Sequence, residues 1–316
     1  MMKGQSMKNR RPIGLFVLAA MACSLSFGQP QAAFAADSSD GWTVLFNGKD
    51  LTGWDGDPRL WSVKDGVIRG QTTPENPTQG NTFLVYRGGK FDDFELNLKF
   101  RLLSGNSGVQ YRSKEFDKWR IAGYQADILD DLNLVGFLYH EGGRGFLATL
   151  GDFTVVDGKG DKQIIANVSD KKALADAGFY KAKDWNECLI VCRGNHIAHY
   201  LNGHQTMELI DNDRAVSPDD PKDQKGSSRT GLLALQLDAG PPMAVEFKDV
   251  RIRKIPPIYG DASLVFNGRD LSEWQANAGS GKANKWTVGK AKISANNPKL
   301  LEKVEGAGEL INLTPA

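Results

Sequence analysis

Phe94 to Leu102, FELNLKFRL, alternates without a break: Phe94, Leu96, Leu98, Phe100 and Leu102 on one side, Glu95, Asn97, Lys99 and Arg101 on the other. Successive side chains of a strand point to opposite faces, so this stretch reads as a β-strand with one face in an apolar core. The same grammar recurs outward from it. Upstream, Ser39 to Trp54 reads as a short strand and a turn at Asn47-Gly48, Trp61 to Arg69 as a hairpin around Asp65-Gly66, and residues 72–81 as a polar loop. Downstream, strands are expected at 108–112, 120–128 and 135–140. Trp185 to Arg193 and His196 to Leu201 pair as a hairpin through Gly194-Asn195, with a further turn at Asn202-Gly203. Residues 211–229 read as a surface loop, and Leu232 to Leu237 with Val245 to Ile255 close the domain. One helix is expected, from Ser169 as N-cap to Gly178. Many short strands, frequent glycine and one minor helix specify an all-β sandwich of two antiparallel sheets over residues 39–256. Trp42, Trp54, Trp61 and Trp185 hold pattern positions and are expected in its core.

The first 35 residues stand apart. Lys3, Lys8, Arg10 and Arg11 precede an apolar run from Ile13 to Phe27, and Ala33-Phe34-Ala35 is a small-x-small cleavage signal. This pattern predicts a signal peptide over 1–35, an exported mature chain from Ala36, and no transmembrane span, because the apolar run falls short of about 20 residues. A lipoprotein site at Cys23 lacks its aliphatic residue three positions earlier, and the context of Arg10-Arg11 is wrong for a twin-arginine signal. Removing four basic residues turns 39 basic and 38 acidic side chains into 35 and 38. A chain of that balance without a basic block has no electrostatic footprint for nucleic acid. Cys188 and Cys192 lie four apart on one strand, about 13 Å between Cα atoms, beyond disulfide reach, and read as buried thiols. Past Pro257 the opening pattern returns: LVFNGRDLSEW at 264–274 repeats LFNGKDLTGW at 45–54, and Trp286-Thr-Val288 matches Trp61-Ser-Val63. Residues 261–316 therefore read as the partial N-terminal portion of a second module.

Between Ser107 and Gly145 the strands carry an unusual density of acids, amides and arginines. Strand parity pairs Gln110 with Arg112, Gln125 with Asp127, Tyr139 with Glu141, and, farther along, Gln236 with Asp238. The interleaved apolar residues would face the opposing sheet, so the polar set faces outward and forms one cleft if these strands are neighbours. Amides, acids and arginines of this kind suit a carbohydrate ligand, with Trp119, in the charged stretch EFDKWR, as a stacking surface and His140 as a residue of the site or its rim. His196 and His199 point to opposite faces and form no chelating pair. No spacing requires a cofactor, and a divalent ion such as calcium on the carboxylates stays open.

LFNGKDLTGW, WSVKDGVIRG, FELNLKFRL, GNSGVQYRS, GYQADI, GNHIAHYLNG and GLLALQLDAGPPMAVEFKDVRIRKI occur in this order. In this the chain resembles the 3-keto-disaccharide hydrolase domain family over about Gly41 to Ile255, and within it the subgroup with a GYQADI motif. Relatives often carry histidine where Asp238 stands. The resemblance implies a concanavalin-A-like jelly-roll sandwich acting on 3-keto glycosides or disaccharides. A C3 carbonyl acidifies the C2 hydrogen; a base removes it, the C1 substituent leaves, and water adds. Asp127 and Glu141 are then the candidate base and acid, and Arg144 or Arg112 the stabiliser of the enolate oxygen. Gln110, Arg112, Trp119, Gln125, Tyr139, His140, Gln236 and Asp238 are the expected substrate-binding set. The alternative is a lectin-like carbohydrate-binding module without chemistry, since this fold serves both.

Overall fold

The structure is a computed structural model that describes residues 41–217, 220–256, 286–294 and 297–312. The leader and the repeat at 264–274 lie outside these residues. The strands run β1 (Trp42–Val44), β2 (Trp54–Asp55), β3 (Trp61–Lys64), β4 (Val67–Gln71), β5 (Thr82–Tyr86), β6 (Phe94–Ser104), β7 (Asn106–Asp117), β8 (Arg120–Leu129), β9 (Leu138–Glu141) and β10 (Gly145–Ala148). They continue as β11 (Asp152–Val156), β12 (Lys162–Asn167), β13 (Asn186–Arg193), β14 (His196–Leu201), β15 (His204–Asp211), β16 (Leu232–Leu237) and β17 (Ala244–Lys254). Between β12 and β13 lies one short helix, α1 (Lys171–Asp176). A ten-stranded sheet has the order β12-β11-β15-β14-β13-β6-β17-β4-β3, with β1 added on β17; a seven-stranded sheet has the order β10-β9-β8-β7-β16-β5-β2. This is the expected two-sheet sandwich. It is antiparallel except where β11 runs parallel to β15, a pairing that the long crossover through β12, α1, β13 and β14 permits.

β6 lies inside the larger sheet, between β13 and β17, and Phe94, Leu96, Leu98, Phe100 and Leu102 are all buried in the core. From the other sheet Val109, Tyr111, Tyr124, Ala126, Ile128, Leu138 and Leu235 meet them. The outward residues of β6 are covered by an ion-pair lattice: Arg101 and Arg69 share Glu246, Lys99 pairs with Asp249, and Asn97 bridges Glu187 and Arg251. This lattice corrects the reading of two tryptophans. Trp54 and Trp61 are core residues, but Trp185 lies under Arg101 and Lys248, and Trp42 under Arg251 and Arg253, on the outer face. A guanidinium or ammonium over an indole gives an outward tryptophan apolar cover without burial in the core.

Turn chemistry sets the hairpins. Asp65-Gly66 and Asn202-Gly203 both have positive φ at the two central residues, as a two-residue hairpin loop requires. The helix begins one residue later than expected. Asp170 caps it by accepting the Ala173 N–H, while the Ser169 hydroxyl donates to the Gln205 carbonyl. Cys188 and Cys192 are free and buried, and burial pushes both thiols up to about 12. β18 (Trp286–Ser294) and β19 (Asn297–Asn312) form a separate two-stranded antiparallel sheet. β18 starts at the tryptophan that matches Trp61 in sequence, yet runs on through Lys290-Ala291, whereas the chain after Trp61 turns at Asp65-Gly66. The turn dipeptide is missing there, and so is the turn. Among the described residues no helix is long and apolar enough to cross a membrane.

Candidate active site on the outer face of the seven-stranded sheet

Register, not sequence distance, assembles the site. Tyr139 on β9 pairs with Gln125 on β8, which pairs with Gln110 on β7, which pairs with Ala234 on β16. The next row holds Asp127 opposite Gly108, and Gln236 follows one step on from the Leu235–Val109 pair. Residues directly opposite share a face, so Gln110, Gln125, Asp127 and Gln236 stand together away from the core. Gly108 has a specific part. A Cβ there would lie 2.4 Å from Gln125 Cδ, so the missing side chain is the space in which the Gln125 amide lies. Glu141 faces the same side, opposite Gly123. Asn81, at the mouth of β5, donates to Glu141 Oε1 at 3.0 Å and accepts the Ala239 N–H at 2.9 Å; its side chain also bonds Asp238.

An oriented amide chain runs beneath. The Ser113 hydroxyl donates to Gln110 Oε1 at 2.7 Å, Gln110 Nε2 donates to Gln125 Oε1 at 2.7 Å, and Gln125 Nε2 donates to Asp127 Oδ2 at 3.0 Å. The other carboxylate oxygen, Asp127 Oδ1, and Gln236 Oε1 are buried and accept no hydrogen bond from the described residues. Asp127 is 5% exposed. Its pKa is raised to about 7: burial is the main cause, the charges of Asp238 and Glu141 add to it, and the Gln125 side chain and the Ile128 backbone N–H oppose it. Glu141 is raised by burial and by Asp238, with the Asn81 bond opposing; Asp238 is raised by burial against bonds from Ala239 and Asn81. Three carboxyls that repel one another's charge in a poorly solvated place keep their protons to higher pH than free carboxyls do. Such a group supplies a base and an acid at one pH.

Several expected site residues lie elsewhere. Arg112 does not share a face with Gln110. A β-bulge interrupts β7 after Tyr111, Arg112 has φ of 45°, and the parity reverses there. Its guanidinium is buried and donates to the carbonyls of Asp92 and Gly194 and to Asp93, tying β7 to the turn before β6 and the turn after β13. Arg144 is committed to Asp211, through two hydrogen bonds of 3.0 and 2.6 Å, and to Asp213, with Tyr124 donating to the same Asp211 at 2.6 Å. It serves a buried ion pair on the core side. His140 is buried there too, edge-on to Tyr124, with Nδ1 accepting the Arg144 N–H; burial and Arg144 lower its pKa to about 3. Trp119 is held at the β2–β5 edge by a 2.9 Å bond from Nε1 to Asp55, outside the carboxylate row. Gln110, Gln125 and Gln236 face the site but are 0–2% exposed, so they form its supporting floor. Tyr139 is half-buried on the outer face.

The sequence reading missed Asn81, whose loop carries no motif, and Arg120, whose Nη2 lies 3.5 Å from where a Cβ on Gly80 would be, beside Asn81. It also missed Phe137 and Phe146, aromatic residues with no polar neighbour to mark them. Among the described residues no group of three His, Cys, Asp or Glu side chains is placed to hold a metal ion.

The family model described as 3-keto-alpha-glucoside-1,2-lyase-like domain matches residues 41–253. The 3-keto-disaccharide hydrolase of Bacteroides thetaiotaomicron is 30% identical over 87 residues, 24% of this chain and 29% of that protein, so the match spans less than a third of the curated relative. Among solved structures, two glycosyl hydrolase candidates from Parabacteroides distasonis are similar. One is 21% identical, covering 68% of this chain and 99% of that one at a TM-score of 0.44. The other is 24% identical, covering 69% and 95% at a TM-score of 0.45. The carbohydrate-binding module CBM66 from Bacillus subtilis is 15% identical, covering 68% and 96% at a TM-score of 0.36.

Proposed function

Because the chain belongs to the family of 3-keto-alpha-glucoside-1,2-lyase-like domains, we propose that it cleaves 3-keto glycosides or disaccharides with Asp127 as base and Glu141 as acid. The carrying observation is the pair of raised carboxyls, Asp127 and Glu141, on one face of adjacent strands, bridged to Asp238 by Asn81. Asp127, raised to about 7, is basic enough to take a proton made acidic by a neighbouring ketone. The C2–H bond breaks, the proton passes to Asp127, and the electron pair forms the enolate. The enolate then expels the C1 oxygen, which takes the proton of Glu141. Water adds across the resulting double bond, with hydroxyl to C1 and a proton to C2, so the net reaction is hydrolysis. The oxyanion role expected of Arg112 or Arg144 passes in this reading to Arg120 at the rim. The floor of glutamines acts by holding Asp127 in place.

The test separates the two carboxyls. Wild-type protein is expected to release monosaccharide from a 3-keto disaccharide and none from its unoxidised parent. In deuterated water, Glu141→Gln is expected to keep C2 hydrogen exchange while losing release by about a hundredfold, and Asp127→Asn to lose both. Full release by both variants sinks the assignment; no release by the wild type leaves a carbohydrate-binding module as the better reading. We also propose that the protein is exported from the cytoplasm; the leader pattern of residues 3–35 supports this.

A further inference from the structure

Phe146 is a large aromatic residue left 48% exposed on β10, the edge strand of the sheet that carries the carboxylates. Its position is not that of a stray surface phenylalanine. It pairs in register with Tyr139, which pairs with Gln125, so it shares their outward face. One face of its ring stacks on Phe137, with centroids 4.9 Å apart and planes at 27°, and Tyr139 meets it edge-on at 5.3 Å. Phe137 is itself buried and lies opposite Asp127, whose N–H donates to the Phe137 carbonyl at 3.2 Å. A ring covered on one face and half exposed turns its other face to solvent. An aromatic stack thus leads from the buried carboxyl to the open edge of the sheet.

We propose that the outer face of Phe146 is a subsite for the departing sugar ring, so that the protein selects glycosides whose leaving group is a second pyranose. The inference rests on the proposed chemistry for the word departing, though not for the binding. Strand spacing sets the length: from Asp127 on β8 to Phe146 on β10 is two interstrand steps across and two residues along, about 12 Å in all, a span that two linked pyranose rings bridge. Orientation follows from the strand order. The base is on β8, the acid Glu141 on β9, and the platform on β10, so a ring leaving with the proton of Glu141 lies on the Phe146 side. Chemistry follows from the ring. The π-face of phenylalanine carries negative charge density, and a pyranose offers it a face of polarised C–H groups. Phe146, Tyr139 and Phe137 brace one another, so little side-chain freedom is lost on binding.

The experiment is calorimetric binding of unreactive sugars to the whole chain. The probes are glucose disaccharides of α- and β-linkage, with methyl glucosides as one-ring counterparts. Wild-type protein is expected to prefer at least one disaccharide to its methyl glucoside. Phe146→Ala is expected to weaken that disaccharide about tenfold and to bring the preference close to one. Phe146→Trp is expected to retain it, and Ile164→Ala, an exposed apolar change on β12, to leave it unaltered. A preference that survives Phe146→Ala overturns the subsite, as does a wild-type protein that binds no disaccharide of the panel. Binding that behaves as expected without any turnover of a 3-keto disaccharide supports the subsite and removes the proposed chemistry. Turnover whose KM is unmoved by Phe146→Ala overturns the subsite and leaves the chemistry standing.

Discussion

The carboxyl of Asp127 accepts a side-chain hydrogen bond from Gln125 at Oδ2, and Oδ1 is buried without a hydrogen-bond partner among the described residues. Desolvation favours the neutral form, and the sign of the stability effect follows. Between the unfolded value near 4 and the folded value of about 7, the native state holds a proton that the unfolded state releases. Stability therefore falls as pH rises through that window, and the full cost is present above it. Asp127→Asn keeps an acceptor for Gln125 and carries no charge. It is expected to be no more stable than wild type at pH 4 and more stable at pH 8 by on the order of 1–3 kcal/mol, read from urea unfolding at both pH values. A constant difference across the range would show that Asp127 is not raised. The arginines teach the opposite lesson at this scale. Arg112 and Arg144 look like ligand-facing cations in sequence, yet each satisfies buried acceptors, three for Arg112 and an aspartate pair for Arg144. A residue type shows what a group can bond. It does not show which partner the fold will offer.

At the scale of the element, one extra residue in β7 decides which polar side chains meet. Parity from Gln110 onward would put Arg112 beside it, but the bulge turns Arg112 inward and leaves Ser113 to feed the amide chain. Gly108 is the complementary device, a gap in β7 into which β8 lays Gln125. Gly108→Ala is expected to push Gln125 off Asp127, removing the side-chain bond that lowers the aspartate pKa. The acid limb of the activity profile then moves to higher pH, and the fold loses about 1–3 kcal/mol through overpacking. A pH–rate profile with thermal unfolding checks both; an unmoved limb would mean that Gln125 does not tune Asp127. β6 shows where element-level reading succeeds. Its alternation is strict because one face meets the core and the other a lattice of ion pairs, and both demands are visible residue by residue.

At the scale of the molecule, every strand of both main sheets lies between Trp42 and Lys254, and the site draws on β7, β8, β9, the end of β16 and Asn81 just before β5. Export, as proposed, has its own measurement: intact mass of the secreted protein should place its first residue at Ala36, and a product retaining residues 1–35 would refute the leader. Much of this architecture was legible in the chain. The alternation of Phe94 to Leu102, the turns at Asp65-Gly66 and Asn202-Gly203, and the outward placement of Gln125, Asp127, Tyr139 and Glu141 are local consequences of a two-residue period and of positive φ. They need no knowledge of the partner strand. Tertiary structure alone decided that Asn81, far from the carboxylates in sequence, bridges Glu141 and Asp238, that Phe146 extends the same face, and that Arg112 and Arg144 turn to the core side. Periodicity encodes which side a residue faces only while the ladder stays in register. Bulges, loops and the order of strands in a sheet are settled by which contacts across the whole chain can be satisfied together.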